Sequence, residues 1–438
     1  MCLERVFLVL IQFNFKNYKS FRDNMSLDMT ATKNNEYEEH IINYGNENIL
    51  PVSVIYGANA SGKSNVIEAF KYMTNYVINS LNYSFDLGNK PNCFLKPIPF
   101  SFDNESKNSE SLFEIYYIDP KDKNERTINY GFTINQTGIV EEWLNIKAKT
   151  ARKPRKVFYR NSLTNLLDIK GINSKIIENL RVSLEKETLL VSLGARLKVE
   201  LFKNIQDWFI NNEFTNFGET FENYYLSNLI PDNFQNDEKV RKNVIKYLST
   251  FDDSIVDFVV QKVPGDKPEN DRFHIDTIHK MIDGKNYASI PLQYESEGTK
   301  KMFSLYQWLQ NILESGGVLL IDELNSKLHP LLVRAFVQIF LNQDMNSKHA
   351  QLIFTTHDTW QMNSKLFRRD EIWFTEKDKN GLSELYSLAD FVDNDGNKIR
   401  KDENYEKNYL LGKYGAIPTL KCFDLTEDSS EEIFKRRK

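Results

Sequence analysis

Three things are scarce in this sequence, and each shortage closes a line of interpretation. There are three cysteines, Cys2, Cys93 and Cys422, with no paired spacing. A disulfide framework and a cysteine-built zinc site are thereby excluded, and a reducing, cytoplasmic compartment is the expected one. No segment approaches the roughly 20 apolar residues that a membrane-spanning helix needs. The opening Phe7-Leu8-Val9-Leu10-Ile11 is five residues long. It does not read as a secretory signal, because Phe13-Asn14-Phe15-Lys16 continues it as an alternating strand. Positive charge is also short: 56 Lys and Arg stand against 61 Asp and Glu, a net charge of -5 over 438 residues. A protein that coats nucleic acid uniformly is excluded, so any such contact must be local. Internal repeats and sustained heptads are missing too, so no long coiled-coil arm is expected.

What the chain does contain is a phosphate-binding loop in its expected context. Gly57-Ala58-Asn59-Ala60-Ser61-Gly62-Lys63-Ser64 follows the apolar Val52-Ser53-Val54-Ile55-Tyr56 and precedes a helical pattern carrying Val66, Ile67, Ala69, Phe70 and Met73. Strand, glycine-rich turn and helix N-terminus in that order aim successive backbone N–H groups at a nucleotide's phosphates. Lys63 supplies a mobile cation for the β- and γ-phosphates, and Ser64 a hydroxyl for magnesium. By itself this loop suits a kinase, a GTPase or a helicase.

The rest of the pattern gives the fold class. Residues 7–18 read as a strand, 19–23 as a turn, and with the phosphate-loop strand and helix they make one βα nucleotide-binding half. Over residues 98–160 short alternating runs joined at Asn135-Gln136-Thr137-Gly138 predict an antiparallel meander. From 172 to 250 the period is helical, with Ile176, Ile177, Leu180 and Leu184 on one face and Leu201, Phe202, Ile205, Trp208 and Phe209 on a second helix. Residues 232–239 and 265–271 read as exposed polar loops. After residue 290 α/β alternation returns: helix 297–314, strand 318–322, helix 330–343, strand 352–356. The expectation is an α/β ATPase head with a doubly wound P-loop sheet assembled from the first and last thirds of the chain. It is divided into an N-terminal part (1–97), an antiparallel β subdomain (98–165), a helical insertion (166–255) and a C-terminal part (256–438).

Gly316-Gly317-Val318-Leu319-Leu320-Ile321-Asp322-Glu323 is an apolar strand ending in two acids. Alone, such a pair suits a solvated turn. Downstream of a phosphate loop it suits a magnesium-dependent hydrolase, with Asp322 holding magnesium through its water shell and Glu323 orienting or deprotonating the attacking water. Ser296-Glu297-Gly298-Thr299 opens an amphipathic helix carrying Met302, Leu305, Tyr306, Leu309 and Ile312. Ser296 and Gly298 either offer a hydroxyl and free N–H groups to a γ-phosphate or form a simple N-cap. His357 follows the strand Leu352-Ile353-Phe354-Thr355-Thr356 and stands at its carboxyl end, placed to sense a γ-phosphate. The implied cofactors are ATP and Mg2+.

The order of these motifs resembles the ATP-binding-cassette-like (ABC-like) ATPases of the SMC, RecF and OLD branch. The resemblance rests on Phe15-Lys16-Asn17-Tyr18-Lys19-Ser20-Phe21, on residues 57–65 with Asn65 at their end, and on 296–299, 322–330 and 355–358. It implies an ABC-type head in which the signature helix of one subunit closes on ATP held by the phosphate loop of another. One copy of each element per chain then implies an ATP-dependent homodimer or higher oligomer. More narrowly, the chain looks like compact ATPases of bacterial abortive-infection and restriction-linked operons. That likeness is carried by Asp322-Glu323-Leu324 leading to Leu328-His329-Pro330, by Glu384-Leu385-Tyr386-Ser387-Leu388, and by Tyr409-Leu410-Leu411-Gly412-Lys413-Tyr414-Gly415-Ala416-Ile417-Pro418. It implies a sensor or motor in anti-phage defence that controls a separate effector encoded nearby, a Toprim-type nuclease being the expected kind. Asn325 stands where the family often has Asp, and no residue is assigned to the glutamine that in the family touches magnesium.

Two further segments bear on partners. Lys147, Lys149, Arg152, Lys153, Arg155, Lys156 and Arg160 lie close together with Trp143, Phe158 and Tyr159, and suit either a DNA- or RNA-backbone contact or a solvated hairpin tip. Asp393-Asn394-Asp395-Gly396 has the letters of a nuclease metal motif but reads as a polar turn, so nuclease activity is expected in a partner. No membrane partner is expected. The competing readings are a RecF- or OLD-type DNA-repair ATPase and a scaffold that uses ATP to hold an assembly and sequester a toxin.

Overall fold

The computed structural model describes residues 9–34, 36–44, 47–83, 95–118, 126–220, 229–263, 272–392, 399–400 and 402–418. The three cysteines, the loop at 265–271 and the turn at 393–396 lie outside them.

All six residues of β5 (Val52–Gly57), the strand before the phosphate loop, are buried. A strand with no solvent face has to lie in a sheet covered on both sides. That sheet has the order β11-β15-β16-β5-β17-β18, from β11 (Glu213–Asn216), β15 (Val318–Asp322), β16 (Gln351–Thr355), β5, β17 (Ile372–Lys377) and β18 (Ser383–Ser387). Its first five strands run parallel, and β18 returns antiparallel to β17. Alternate residues feed two cores: Ile55, Val318, Leu320 and Ile353 enter one, and Val54, Leu319, Ile321 and Phe354 the other. The first core is closed by α1 (Lys63–Asn79), the second by α7 (Glu297–Ser315) and α8 (Pro330–Leu341). Because the strands are parallel, the loops after β5, β15 and β16 all leave from one edge, where ligands bind in such sheets.

The second sheet is antiparallel, in the order β10-β9-β8-β7-β6-β1-β2, from β1 (Val9–Lys16), β2 (Met25–Asp28), β6 (Ser111–Ile118), β7 (Thr127–Asn135), β8 (Gly138–Lys147), β9 (Arg155–Asn161) and β10 (Leu166–Ile169). The meander expected at 98–160 is there, but it takes its last two strands from the start of the chain. Residues 7–80 are therefore not a single βα half, because β1 pairs with β2 and β6 and not with β5. The reason is polar alternation in β1. In a sheet buried on both faces Gln12 and Asn14 would be orphaned, whereas here they bond to each other, to Ser26 and to Glu114 at 2.7–2.9 Å.

Between the two sheets, α1 packs with α4 (Leu190–Arg196) and α5 (Glu200–Ile210), and α3 (Ser174–Ser183) packs on α4 through Leu180. Trp208 of α5 stacks on Tyr117 at 4.9 Å and lies 6.0 Å from Phe70 of α1, joining the antiparallel sheet to α1 through one indole. The Leu190 and Val191 N–H groups donate to the buried Glu142 carboxylate at 2.7 and 3.1 Å. Of the expected helical insertion at 166–255, residues 189–217 supply much of this core, and the segment is not helical throughout. It includes β11, whose four residues carry too little periodicity to read. Pairing with β15 makes that segment a strand.

After α6 (Glu238–Leu248) comes a three-stranded antiparallel sheet of β12 (Ile255–Val263), β13 (Arg272–Lys280) and β14 (Tyr287–Pro291), leading directly into α7. The short pieces are the hairpin β3 (Ile42–Tyr44) and β4 (Glu47–Ile49), α2 (Asn104–Asn108) and α9 (Tyr405–Leu410). Among the described residues no helix is long and apolar enough to cross a membrane.

Candidate functional site

The two glycines of the phosphate loop are required by close contacts. A Cβ on Gly57 would lie 2.4 Å from the Thr375 carbonyl oxygen of β17, and one on Gly62 (φ 116°) 2.9 Å from Ser383 Oγ and 3.0 Å from the Phe21 ring. The loop is pressed onto the β17–β18 hairpin, with Ser61 Oγ 2.6 Å from Thr375 Oγ1. Ser20 braces it from the other side, accepting from Asn65 Nδ2 at 2.7 Å and from Ser383 Oγ at 2.8 Å. Behind the hairpin, the C-terminal motif packs through Tyr409 on Phe374 (5.5 Å) and through the Tyr386 hydroxyl donating to Tyr414 O (2.7 Å).

Lys63 opens α1 and is 5% exposed, its ammonium donating to the loop's own Gly57 and Ala58 carbonyls at 3.0 and 3.1 Å. Burial pushes its pKa below the ordinary lysine value, with Glu323 and Asp322 opposing. A buried cation held only by carbonyls is costly unless an anion joins it. Lys63 therefore fits a phosphate.

Both acids at the end of β15 are fixed by one hydroxyl of the neighbouring strand. Thr355 Oγ1 donates to Asp322 Oδ1 at 2.5 Å and accepts from the Glu323 N–H at 2.8 Å. Glu323 has φ 57°, uncommon for a side chain with a Cβ and typical of functional turns. That turn brings Glu323 Oε1 to 3.3 Å from His357 Nε2. Burial, with Lys63, lowers the His357 pKa from its ordinary value against the opposing pull of Glu323, which favours the neutral ring. Asn325 Oδ1 accepts from Thr356 Oγ1 (2.8 Å) and from the His357 N–H (3.1 Å). An amide serves that acceptor role as well as the carboxylate common in the resembled family.

A cavity of about 490 Å³ gathers Lys63, Ser64, Asn65, Glu323, His357 and Lys377. A second, of about 640 Å³, adjoins it along Gly57, Asn59 and Ser61 and reaches Tyr409 and Ile417. Asn59 and Ala60 border both. Ser296 and Gly298 border neither. Ser296 is exposed and caps α7, its Oγ accepting from the Thr299 N–H at 3.0 Å, and Gly298 lies in the first turn beside the Lys327 carbonyl.

Two site residues carried no signal in the sequence. Asn216, at the end of β11, donates from Nδ2 to Asp322 Oδ2 at 3.1 Å, and the neighbouring Phe217 N–H to Asp322 O at 2.8 Å. An amide therefore stands against Asp322, and only the pairing of β11 with β15 reveals it. Lys377 enters the cleft from the end of β17, which no motif marked. The groups present fit magnesium-bound ATP: a glycine-rich loop leading into a helix N-terminus, a buried lysine whose ammonium meets only carbonyl oxygens, and the Ser64 hydroxyl with the Asp322 carboxylate for a hard cation that keeps waters and phosphate oxygens as its other ligands. Bound there, Mg2+ would neutralise phosphate charge.

A parallel sheet with a phosphate loop, two strand-end acids, a histidine beside them and a capped helix turned away from the cleft defines an ABC-like ATPase head. Residues 52–359 match the family described as "AAA domain, putative AbiEii toxin, Type IV TA system", and the chain belongs to that family. Among solved structures it is similar to the SMC head domain from Thermotoga maritima (16% identity, TM-score 0.42, 86% of this chain and 98% of that one). It is also similar to an SMC head bound to the C-winged helix domain of ScpA (13% identity, TM-score 0.40, 86% and 97%). No curated protein matches the sequence.

Proposed function

We propose that the protein hydrolyses ATP with Mg2+ in a site completed by a second copy, and that in the cytoplasm this cycle acts as the sensor or motor of an anti-phage system controlling a separate effector. The observation that carries the proposal is the split of the site. Lys63, Glu323 and His357 line one cavity, whereas Ser296 sits outside it on an exposed helix N-terminus. A helix N-terminus with free N–H groups is suited to a γ-phosphate presented by another molecule. Ser296→Arg places bulk and charge on that face. It should leave ATP binding within about twofold and abolish ATP-driven dimerisation, followed by sedimentation with Mg2+ and a slowly hydrolysed ATP analogue. Wild-type protein that turns over ATP as a strict monomer would overturn the composite site.

A second reading, contact with single-stranded nucleic acid, is favoured by the outer face of the antiparallel sheet. Lys147, Lys149, Arg152, Lys153, Arg155 and Lys156 are exposed around the β8–β9 tip. Arg160 is not part of that patch, because it is buried against Glu142 and donates to the Thr188 and Glu185 carbonyls. At the root of the hairpin the Trp143 indole lies over Gly131, where a Cβ would come within 2.5 Å of the ring, and Nε1 donates to Glu114. An indole spread flat at the root of a hairpin whose tip carries the cations suits a base at the ring and its phosphates toward the tip. Fluorescence anisotropy with labelled single-stranded DNA and RNA should show binding that falls steeply between 50 and 200 mM salt. A Lys153→Glu/Arg155→Glu double variant should weaken it about tenfold or more. Undetectable binding at low salt would remove this reading.

A further inference from the structure

Lys301 lies in the second turn of α7, 3% exposed, in a helix whose neighbouring inward positions are Met302, Phe303 and Leu305. A methionine or leucine would fill such a position without desolvating a charge. Instead, the ammonium sits 3.8 Å from the centre of the Phe217 ring and donates to the Ser326 carbonyl at 2.7 Å. Among the described residues it has no carboxylate in ion-pair reach. The charges facing it are Lys327, from the turn after β15, and Glu297, one turn earlier on its own helix. Its contacts are both with the catalytic end of the molecule. Phe217 follows Asn216, which holds Asp322, and Ser326 closes the turn begun by Glu323, its N–H donating to Glu323 O at 2.9 Å. One buried cation thus pins the helix that starts at Ser296 to both sides of the acid pair. Burial, with Lys327, pushes its pKa from 10.5 down to about 7 against the pull of Glu297, so near neutral pH the group is divided between amine and ammonium, and both contacts are strongest in the protonated form.

The geometry points to Lys301 as a positioning residue that couples the signature helix to the acid pair of its own protomer, so that closure of Ser296 on a nucleotide held by a second copy is transmitted to Asp322 and Glu323. This rests on the composite-site reading. It adds the route by which one site senses the other: a displacement of α7 moves the Ser326 carbonyl and the Phe217 ring together, because the same ammonium holds both through a charge-assisted hydrogen bond and a cation–π contact. Lys301 touches no part of the cleft itself, so its loss should act on turnover and on communication rather than on ATP capture.

The test compares full-length wild type, Lys301→Met, Lys301→Arg and Phe217→Leu for ATP turnover, KM, Hill coefficient and nucleotide-driven dimerisation. Lys301→Met keeps the volume and removes the charge. It should dimerise as wild type does, keep KM within about twofold, lower kcat about tenfold and bring the Hill coefficient to one. Lys301→Arg, which keeps a cation and a donor, should recover most of kcat. Phe217→Leu, which removes only the ring, should move kcat and cooperativity in the same direction by less, and it decides the question if Lys301→Met fails to fold. Unchanged kcat and cooperativity in Lys301→Met, or in Phe217→Leu where that variant decides, would overturn the coupling role, as would a loss confined to KM. A wild type that stays monomeric with nucleotide instead removes the composite site on which the coupling rests, a failure the dimerisation measurement reports separately.

Discussion

Glu323→Gln should lower ATP turnover by about 10²- to 10⁴-fold while leaving ATP binding intact, the effect expected from removing a positioned general base. The substitution is isosteric, and the features that place residue 323 belong to the backbone and its neighbours. The N–H bond to Thr355 Oγ1 and the turn at φ 57° do not depend on a carboxylate. What changes is basicity at the oxygen facing His357, 3.3 Å away. An amide cannot accept a proton from water there, so bound ATP should persist and, with it, a dimer stable enough to isolate by gel filtration. The same variant separates two biological readings in a cell-based defence assay. If the protein is a motor or sensor, the variant loses defence function. If it is a scaffold that holds a toxin through bound ATP, the variant retains function or strengthens it. Wild-type turnover in the variant would remove Glu323 from the chemistry altogether.

Lys63→Met should abolish nucleotide binding, read as loss of the ATP-dependent rise in thermal stability. Ligand present at about 100 times its dissociation constant stabilises the folded state by about 2.7 kcal/mol. The variant should show no such rise. Its stability without nucleotide should not suffer, because the wild-type ammonium is buried against two carbonyls, and an apolar side chain of similar length avoids that desolvation. The two effects therefore have opposite signs: unchanged or higher stability alone, and none gained with ATP. An ATP-induced shift equal to the wild-type one would show that Lys63 does not meet phosphate.

Most of the elements that carry the proposed nucleotide side were legible because they are local. The phosphate loop, the strand ending in Asp322 and Glu323, and the strand before His357 are contiguous runs in which apolar burial and a few turn residues appear side by side. The capped start of α7 at Ser296 is likewise a local pattern. β1 was misassigned because a short alternating strand does not say which sheet it joins; Gln12 and Asn14 chose the sheet with a polar outer face. The strands of residues 255–291 went unread because the polar run Gly265-Asp266-Lys267-Pro268-Glu269-Asn270-Asp271 dominated the pattern. Arg160 looked like part of a basic patch because sequence proximity does not record that its guanidinium turns inward to Glu142.

The sequence by itself determined the local framework of the proposed nucleotide site, a buried strand, glycine-rich turn and helix opening at Lys63 and a second buried strand ending in Asp322, since such runs act through backbone geometry only a few residues long. The tertiary structure alone decided that Asn216 faces Asp322, that Lys377 reaches the cleft, that Lys301 bridges Phe217 and Ser326, and that Ser296 is turned away from its own site. Each of these is set by strand order and helix packing between segments dozens to hundreds of residues apart, and no local period encodes such distances.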